Sequence, residues 1–131
     1  AVGRRGFLNV YGDDWDTMDG SGIRDYIHIM DLSEGHINAL NYLKSHKGCF
    51  EVINLGSGTG YSVIQIIKEF EKSTGCQIPY KIKERRDGDI AKIFADISKA
   101  RKLLGWYPRR SLNDICLDGL NWQRNNPNGY S

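Results

Sequence analysis

The sequence predicts an α/β fold with too few strands for a complete doubly wound domain. Short apolar stretches that favour strands alternate with longer stretches whose apolar residues recur every three or four positions. Gly, Ser and Asp residues at the junctions mark turns and helix ends. A chain of 131 residues is one domain or part of one. We therefore expect residues 1–131 to form a single α/β unit.

The first third of the chain predicts two strands on either side of a polar loop. Residues 7–11 are a short strand candidate, and the Asp- and Gly-rich residues 12–22 are typical of a surface loop. Ile27 and Ile29 flank a histidine and predict a second, short buried strand. Asp31 then closes this strand as the N-cap residue of a helix.

A helix and a further strand follow. The helix is predicted to continue to about Gly48, because apolar residues recur at helical spacing. The residues on this face are Leu32, His36, Leu40 and Leu43. Residues 50–55 are apolar and bounded by glycines, which indicates a buried strand.

Gly56, Gly58 and Gly60 lie between that strand and the next helix, where a phosphate-binding loop would lie. The dinucleotide fingerprint Gly-x-Gly-x-x-Gly nevertheless occurs nowhere in the sequence, since position 61 is Tyr. The glycines therefore indicate a tight turn.

Three helices and one strand complete the prediction. Ser62 with Gln65, and Ser111 with Asp114, have the spacing of capping boxes, and Ser98 is predicted to cap the short helix between them. A strand is expected over residues 79–84. The three helices are expected to end at Gly75, Gly105 and Pro127. Their expected apolar faces contain Val63, Ile66, Ile67 and Phe70, then Leu103 and Leu104, then Leu112, Ile115, Cys116, Gly119 and Trp122.

Composition excludes several classes of function. The formal net charge of +2 favours neither nucleic acid nor a membrane surface as a partner. Three scattered cysteines without metal-ligand spacing fit a reducing compartment, so we expect a cytoplasmic protein. No apolar stretch is long enough for a membrane span, and no signal peptide is visible. The chain begins at Ala1 without methionine, and we expect it to be a piece of a longer protein.

Two basic positions could bind an anion. Arg24, in an Arg-Asp-Tyr triplet, has a guanidinium group suited to a carboxylate or phosphate, although a solvated pair with Asp25 is an equally good interpretation. Residues 81–86 form a basic run that could be a solvated strand or a nucleic-acid contact. The aspartates at 87 and 89 disfavour nucleic acid.

The histidines show no metal or catalytic spacing. His28, between two isoleucines, is predicted to be a hydrogen-bonded core residue rather than a catalyst. Trp106, Tyr107 and Trp122 are interpreted as packing for the last helices.

Five motifs occur in the order and spacing of a known family. They are residues 9–14 (NVYGDD), 19–28 (DGSGIRDYIH), 54–56 (NLG), 85–89 (RRDGD) and the tail from Trp122-Gln123 to Tyr130. Together they resemble the C-terminal part of the UDP-glucose 4-epimerase family, which belongs to the extended short-chain dehydrogenases/reductases of the NAD(P)-binding Rossmann-fold superfamily. The resemblance covers essentially all 131 residues. It implies a substrate-binding part that lacks the N-terminal dinucleotide-binding core.

The resemblance implies an isomerase that interconverts UDP-glucose and UDP-galactose through a 4-keto sugar, with NAD as bound cofactor. NAD is expected on the missing N-terminal domain, because this chain has no glycine fingerprint. It also has no Tyr-x-x-x-Lys pair for assisted proton transfer. We therefore expect no catalytic, cofactor-binding or metal-binding residue here, and no activity of the chain alone. The expected partners are a UDP-sugar and the NAD-binding domain, with a homodimeric full-length protein and a monomeric fragment.

The resemblance also implies a UDP-sugar site. Asn9, Val10 and Tyr11 match the segment along the uracil, and Arg24 and Arg86 match the arginines that reach the diphosphate. Asp89 matches the carboxylate that holds the ribose hydroxyls. The remaining matches are Tyr26 and Val63 as flanking contacts, and Asp87 and Gly88 within the Asp89 turn.

Ile93 lies at the position where the family varies between a bulky aromatic and a small residue beside the sugar. A small residue there is associated with N-acetylated sugars, and a tyrosine with their exclusion. The isoleucine predicts a site open enough for an N-acetyl group.

Two alternatives stay open. A related nucleotide-sugar epimerase or dehydratase would share the Arg-Asp-Tyr-Ile-His motif, although the Trp122-Gln123 pair and the tail after it favour the 4-epimerase. A binding or structural fragment without an enzymatic partner is the second. An upstream glycine fingerprint with a Tyr-x-x-x-Lys pair would exclude it.

Overall fold

The computed structural model describes residues 1–129, so Tyr130, the last residue of the tail motif, lies outside the described part. The described residues form four strands and four helices, which confirms the α/β class. In chain order they are β1 (Leu8–Tyr11), β2 (Ile23–Asp25), α1 (Ile29–Ser45), β3 (Gly60–Ser62), α2 (Val63–Thr74), β4 (Tyr80–Lys83), α3 (Ser98–Leu104) and α4 (Leu112–Asn125).

The strands form two small sheets. β1 and β4 pair in parallel, with Leu8 opposite Tyr80 and Tyr11 opposite Lys83. β2 and β3 pair antiparallel. The other edge of β2 is bound by the segment around Ala91, because the Ile23 N–H donates to the Ala91 carbonyl at 2.8 Å. These pairings bring the chain segments after β1, β2 and β4 close together.

The capping boxes at the starts of α2 and α4 are confirmed. The Ser62 hydroxyl accepts from the Gln65 N–H, and the Gln65 side chain accepts from the Ser62 N–H at 2.8 Å. Ser111 and Asp114 make the same reciprocal pair. α2 ends as predicted at Gly75, whose φ of 70° is costly for residues with a Cβ.

α3 starts differently from the prediction. Ser98 is the first residue of this helix, and the N-cap residue is Ile97, which has no side-chain oxygen to accept a hydrogen bond. Ser98 instead donates its N–H to the Asp96 carboxylate at 2.8 Å. The predicted stop at Gly105 is confirmed by its φ of 60°.

The start of α1 was also predicted wrongly. The strand lies earlier, at Ile23–Asp25, and Ile29 is already helical and exposed. His28 is the N-cap residue, since its Nδ1 accepts the Met30 N–H at 3.1 Å. Asp31 lies inside the first turn, fully buried, and accepts hydrogen bonds from the Arg110 backbone and guanidinium.

The predicted buried strand over residues 50–55 does not form. Phe50 and Val52 are exposed, and no described strand pairs with this segment, while Ile53 and Leu55 pack on the core around Trp106. The predicted apolar face of α1 is also largely exposed. The exposed large apolar residues of α1 are Ile29, Met30, Ile37, Leu40 and Leu43, and we call this set the α1 face.

Two clusters form the core. One surrounds Ile97, Ala100 and Trp106, where α1 lies against α3. The other lies where α2 packs on α4, with Ile67 and Cys116 almost fully buried. Trp106 is almost fully buried, which confirms its predicted packing role, whereas Tyr107 and Trp122 are partly exposed.

Candidate functional site

A cleft of about 230 Å³ lies where β1, β2, the start of α2 and the turn after β4 meet. Seven of the eleven predicted site residues line it, so the folded chain gathers residues that are far apart in sequence. The complete lining is Asn9, Tyr11, Trp15, Gly22, Arg24, Tyr26, Val63, Arg86 and Asp89.

Arg24 is held in this cleft by backbone carbonyls. Its Nη1 donates to the Ile23 and Ile90 carbonyls at 2.8 and 2.9 Å, which leaves the rest of the guanidinium directed to the cleft lining. Its Nη2 lies 3.6 Å from an Asp89 carboxylate oxygen. Gly22 makes room for this arrangement, because a Cβ there would lie 3.2 Å from Arg24 Nη1.

Arg86 approaches the same carboxylate from the turn after β4. Its Nε donates to the second Asp89 oxygen at 3.0 Å, and its guanidinium lies 4.6 Å from the Tyr11 ring centroid. Asp89 thus bridges Arg24 and Arg86, and the two guanidinium groups share one cleft. Two adjacent cations with an internal counterion suit a ligand with two negative charges.

Arg85 and Arg86 are neighbours in sequence but differ in how far they are available to a ligand. Arg85 donates to the Asp14 carboxylate at 2.7 Å and to the Asp14 carbonyl at 2.6 Å, and it stacks on Trp15. This pairing lowers the pKa of the Asp14 carboxyl through the Arg85 hydrogen bond. Arg86, whose side chain is 59% exposed and whose hydrogen bond goes to Asp89 within the cleft, is the better placed of the two to contact a ligand.

Tyr26 contributes a neutral phenol to the lining. Burial raises the pKa of this phenol, and the nearby Arg24 charge only partly opposes the shift. The hydroxyl therefore keeps its proton at neutral pH and can donate a hydrogen bond.

Asp25 does not pair with Arg24, which excludes the solvated-pair interpretation. Its carboxylate accepts the N–H groups of Ser57 at 2.7 Å, Ala95 at 3.0 Å and Gly58 at 3.3 Å. Burial opposes ionisation of Asp25, but these hydrogen bonds outweigh it and lower the pKa of the carboxyl. Asp25 therefore fixes the cleft segment of β2 to the glycine turn.

The same contacts explain the Gly56–Gly60 turn. A Cβ at Gly56 would lie 2.4 Å from an Asp25 oxygen, so this glycine permits a close approach of backbone to carboxylate. The N–H groups that a phosphate would need are already bound by Asp25. The tight-turn prediction is confirmed.

Trp15 is the lining residue that sequence reasoning missed. Its indole Nε1 donates to the Tyr11 carbonyl at 3.2 Å, and the Arg85 guanidinium lies 3.9 Å from its ring centroid. The available signal was an isolated aromatic residue in an acidic, glycine-containing loop, five residues before Gly20.

Four predicted site residues lie outside the lining. The Val10 side chain is buried, so only its backbone could face a ligand. Asp87 is exposed, and Gly88 with a φ of 81° shapes the turn that carries Asp89. Ile93 is 53% exposed and donates its N–H to the Ile23 carbonyl at 3.1 Å.

His28 is a satisfied core residue, as predicted. It is 4% exposed, and besides capping α1 it places Nε2 3.1 Å from an Asp118 oxygen. Within residues 1–129, no cluster of three or more His, Cys, Asp or Glu side chains could hold a metal ion. In the same part of the chain, no helix combines the length and apolar character needed to cross a membrane.

A larger cavity of about 730 Å³ lies beside the Gly58 turn and α3, lined by residues such as Phe94, Ile97 and Arg101. None of the predicted site residues lines it. The smaller cleft, in which the charged and aromatic groups converge, is therefore the candidate site.

Residues 1–118 match the family model for GDP-mannose 4,6 dehydratase. The UDP-glucose 4-epimerase of Yersinia enterocolitica is 53% identical over all of this chain and 38% of its own length. That of Bos taurus is 52% identical over 99% of this chain and 37% of its own length. This chain thus spans little more than a third of each of these relatives.

A solved structure shows the same arrangement of elements. The UDP-glucose 4-epimerase from Bifidobacterium longum, in complex with NAD+ and UDP, superposes with a TM-score of 0.87 and 48% sequence identity. The superposition covers 98% of this chain and 38% of the other.

Proposed function

This chain belongs to the GDP-mannose 4,6 dehydratase family, and we propose that it is the UDP-sugar-binding part of a UDP-glucose 4-epimerase. The observation that carries the proposal is the convergence of Arg24 and Arg86 on Asp89 in one cleft. The relatives at 52% and 53% identity favour this function over other nucleotide-sugar reactions.

The role of the cleft is to anchor the nucleotide. Arg24 and Arg86 would bind the diphosphate, and Asp89 would turn to the ribose hydroxyls once the diphosphate replaces it between the guanidinium groups. Asn9 and the backbone of Val10 and Tyr11 would contact the base. Binding energy from groups remote from the sugar would then orient the reacting carbon, while the sugar stays free to turn.

NAD is assigned to the rest of the complete protein, where it supplies the hydride-accepting chemistry for an interconversion that passes through a 4-keto sugar. The residues present here do not fit NAD, because the glycine fingerprint is absent and the N–H groups of the glycine turn are bound by Asp25. We expect the isolated chain to show no epimerase activity even with added NAD.

The α1 face supports the proposal that a second domain completes the protein. Five large apolar residues of one helix, each about half exposed or more, are unusual on a protein that works alone. We propose that the NAD-binding domain covers it in the complete protein. The homodimer of the complete protein and the monomeric isolated chain are also proposals, and sedimentation analysis of both tests them.

The decisive experiment compares a cleft variant and a control variant of the complete protein by calorimetric titration with UDP. Arg86→Ala is expected to weaken binding about tenfold to a hundredfold, because a hydrogen bond to a charged group is worth about 1.5–3 kcal/mol. Lys83→Ala removes a nearby positive charge outside the cleft lining and should leave the affinity unchanged. Equal losses in the two variants, or no UDP binding by the parent protein, would contradict the proposal.

Product analysis decides between the epimerase and the dehydratase after which the family is named. An epimerase converts UDP-galactose into UDP-glucose without loss of mass. A dehydratase product would be lighter by one water molecule, and finding it would establish the alternative.

We also propose that the site accepts N-acetylated sugars. Ile93 is half exposed next to β2 and lacks the bulk of a tyrosine. The complete protein should therefore turn over UDP-GlcNAc, and Ile93→Tyr should reduce this turnover more than that of UDP-glucose. A UDP-GlcNAc rate below about a thousandth of the UDP-glucose rate would contradict this extension.

A further inference from the structure

Trp15 is the aromatic residue of the cleft whose position is most strongly fixed. Its indole N–H is bound to the Tyr11 carbonyl, and its backbone N–H donates to the Gly20 carbonyl at 2.9 Å. Arg85 stacks on the indole and is itself held by two hydrogen bonds to Asp14. The indole is therefore ordered before any ligand binds.

Gly12 makes this position possible. A Cβ at Gly12 would lie 2.4 Å from the indole Nε1 and 3.0 Å from an Arg85 side-chain carbon. Gly12 also has a φ of 81°, a conformation that side chains with a Cβ rarely adopt. The turn after β1 is thus shaped around the indole.

The cleft lining divides by chemistry into two parts. Arg24, Arg86 and Asp89 carry the charges. Tyr11, Trp15 and Tyr26 provide aromatic surface, and of these Tyr26 has the buried phenol described above. A nucleoside diphosphate has the same division, because its phosphates are anionic and its base is planar and weakly polar. The arginines therefore select the phosphates, and the aromatic part is left for the base.

Tyr11 and Trp15 differ in what covers them. The Tyr11 ring is covered by Arg86, which is exposed and must move if it is to reach a phosphate. Trp15 is covered by Arg85, which donates two hydrogen bonds to Asp14 outside the cleft. We therefore expect Trp15 to keep its position when a ligand binds, and Tyr11 to lose its cover when Arg86 moves.

We propose that Trp15 is a specificity-determining residue that packs against the heterocyclic base of the bound nucleotide and sets the affinity of the cleft for that base. Arg85 and Asp14 are positioning residues that hold the indole. The proposal rests on the proposed nucleotide function of the same cleft.

The test uses the complete protein with two ligands, UDP and inorganic pyrophosphate, which lacks the base. Trp15→Leu should weaken UDP binding about tenfold, the size of a lost base–aromatic contact, and change pyrophosphate binding by less than about twofold. Trp15→Phe, which keeps an aromatic ring, should lie between the parent and Trp15→Leu. The matched control is Met18→Leu, in the same loop with a side chain outside the cleft, which should leave both affinities unchanged.

Tryptophan fluorescence gives a readout that a purely structural role would not move. UDP should quench the emission of the parent and of Met18→Leu, and Trp15→Phe should abolish the quenching although Trp106 and Trp122 remain. An unchanged UDP affinity in Trp15→Leu, or equal weakening of UDP and pyrophosphate, would overturn the role of Trp15. A parent protein that binds neither ligand would overturn the nucleotide site itself.

Discussion

The cleft around Arg24 and Arg86 and the α1 face are built in opposite ways. In the cleft, the polar side chains that shape the site already have partners: Asp25 is bound by three backbone N–H groups, and Asp89 by two arginines. On the α1 face, large apolar residues such as Leu40 and Leu43 are exposed to solvent. The cleft is therefore assembled from contacts within this chain, whereas the apolar residues of the α1 face are left exposed by it.

The first prediction removes the Asp25 carboxylate, which fixes β2 to the glycine turn. Asp25→Ala is expected to lower the free energy of unfolding of the complete protein by about 3 kcal/mol, because it leaves three partly buried N–H groups without their acceptor. Urea denaturation measures this change. An effect below about 1 kcal/mol would show that the glycine turn holds its position without Asp25.

The pH dependence provides a second readout of the same anchor. The Asp25 pKa is lower in the folded state than the value of about 3.9 expected when unfolded. The unfolded state therefore binds more protons at pH values between the two pKa values and around them. The Asp25 contribution is thus complete above the unfolded pKa and is lost as pH falls through the folded value. Asp25→Ala should accordingly show a weaker loss of stability between about pH 5 and the acid limit than the parent.

The second prediction tests whether the α1 face is covered in the complete protein. Leu40→Asn is expected to destabilise the complete protein by about 3 kcal/mol, the usual cost of a disrupted core leucine. The control is Met18→Asn, at a fully exposed loop position, which should change stability by less than about 0.5 kcal/mol. If thermal or urea unfolding gave the same small effect for both, the face would be exposed in the complete protein.

The third and smallest prediction compares the stability contribution of a helix cap next to the cleft with that of a cap away from it. Ser62 caps α2 and also donates to the Asp19 carboxylate of the loop that leads to β2, whereas Ser111 caps α4 away from the cleft. Ser111→Ala should cost about 1 kcal/mol, the usual value of a helix cap. Each hydroxyl donates a second bond, but that of Ser111 goes to the exposed Asp114 of the same helix, whereas that of Ser62 goes to the partly buried Asp19 of another segment. Ser62→Ala should therefore cost about 2 kcal/mol. Equal costs would show that the Asp19 bond adds nothing to stability.

Local signals predicted much of the fold. The capping boxes at Ser62 and Ser111 and the glycine stop at Gly75 depend on neighbouring residues alone, so the sequence suffices to find them. The placement of Arg24 and Arg86 together came from the family resemblance, since nothing in their sequence spacing requires it.

The wrong predictions share a physical cause, because each depended on contacts that the apolar pattern of the sequence does not show. Residues 50–55 have the composition of a buried strand, but a strand needs a paired neighbour, and the described chain provides none. Ile27 and Ile29 alternate as in a strand. His28, which lies between them, is nevertheless the N-cap residue of α1, and the apolar pattern does not show this. Trp15 was missed because its role depends on contacts with Tyr11 and Arg85, and Arg85 lies far along the chain.

The parallel pairing of β1 with β4 has a consequence for the order of folding. The paired residues Leu8 and Tyr80 are about 70 positions apart, so this contact closes a long loop and is slow to form. Arg86 follows β4 and reaches Arg24 only after that closure. The cleft of a newly synthesised chain is therefore expected to form late in folding, once the residues between β1 and β4 have been brought into place.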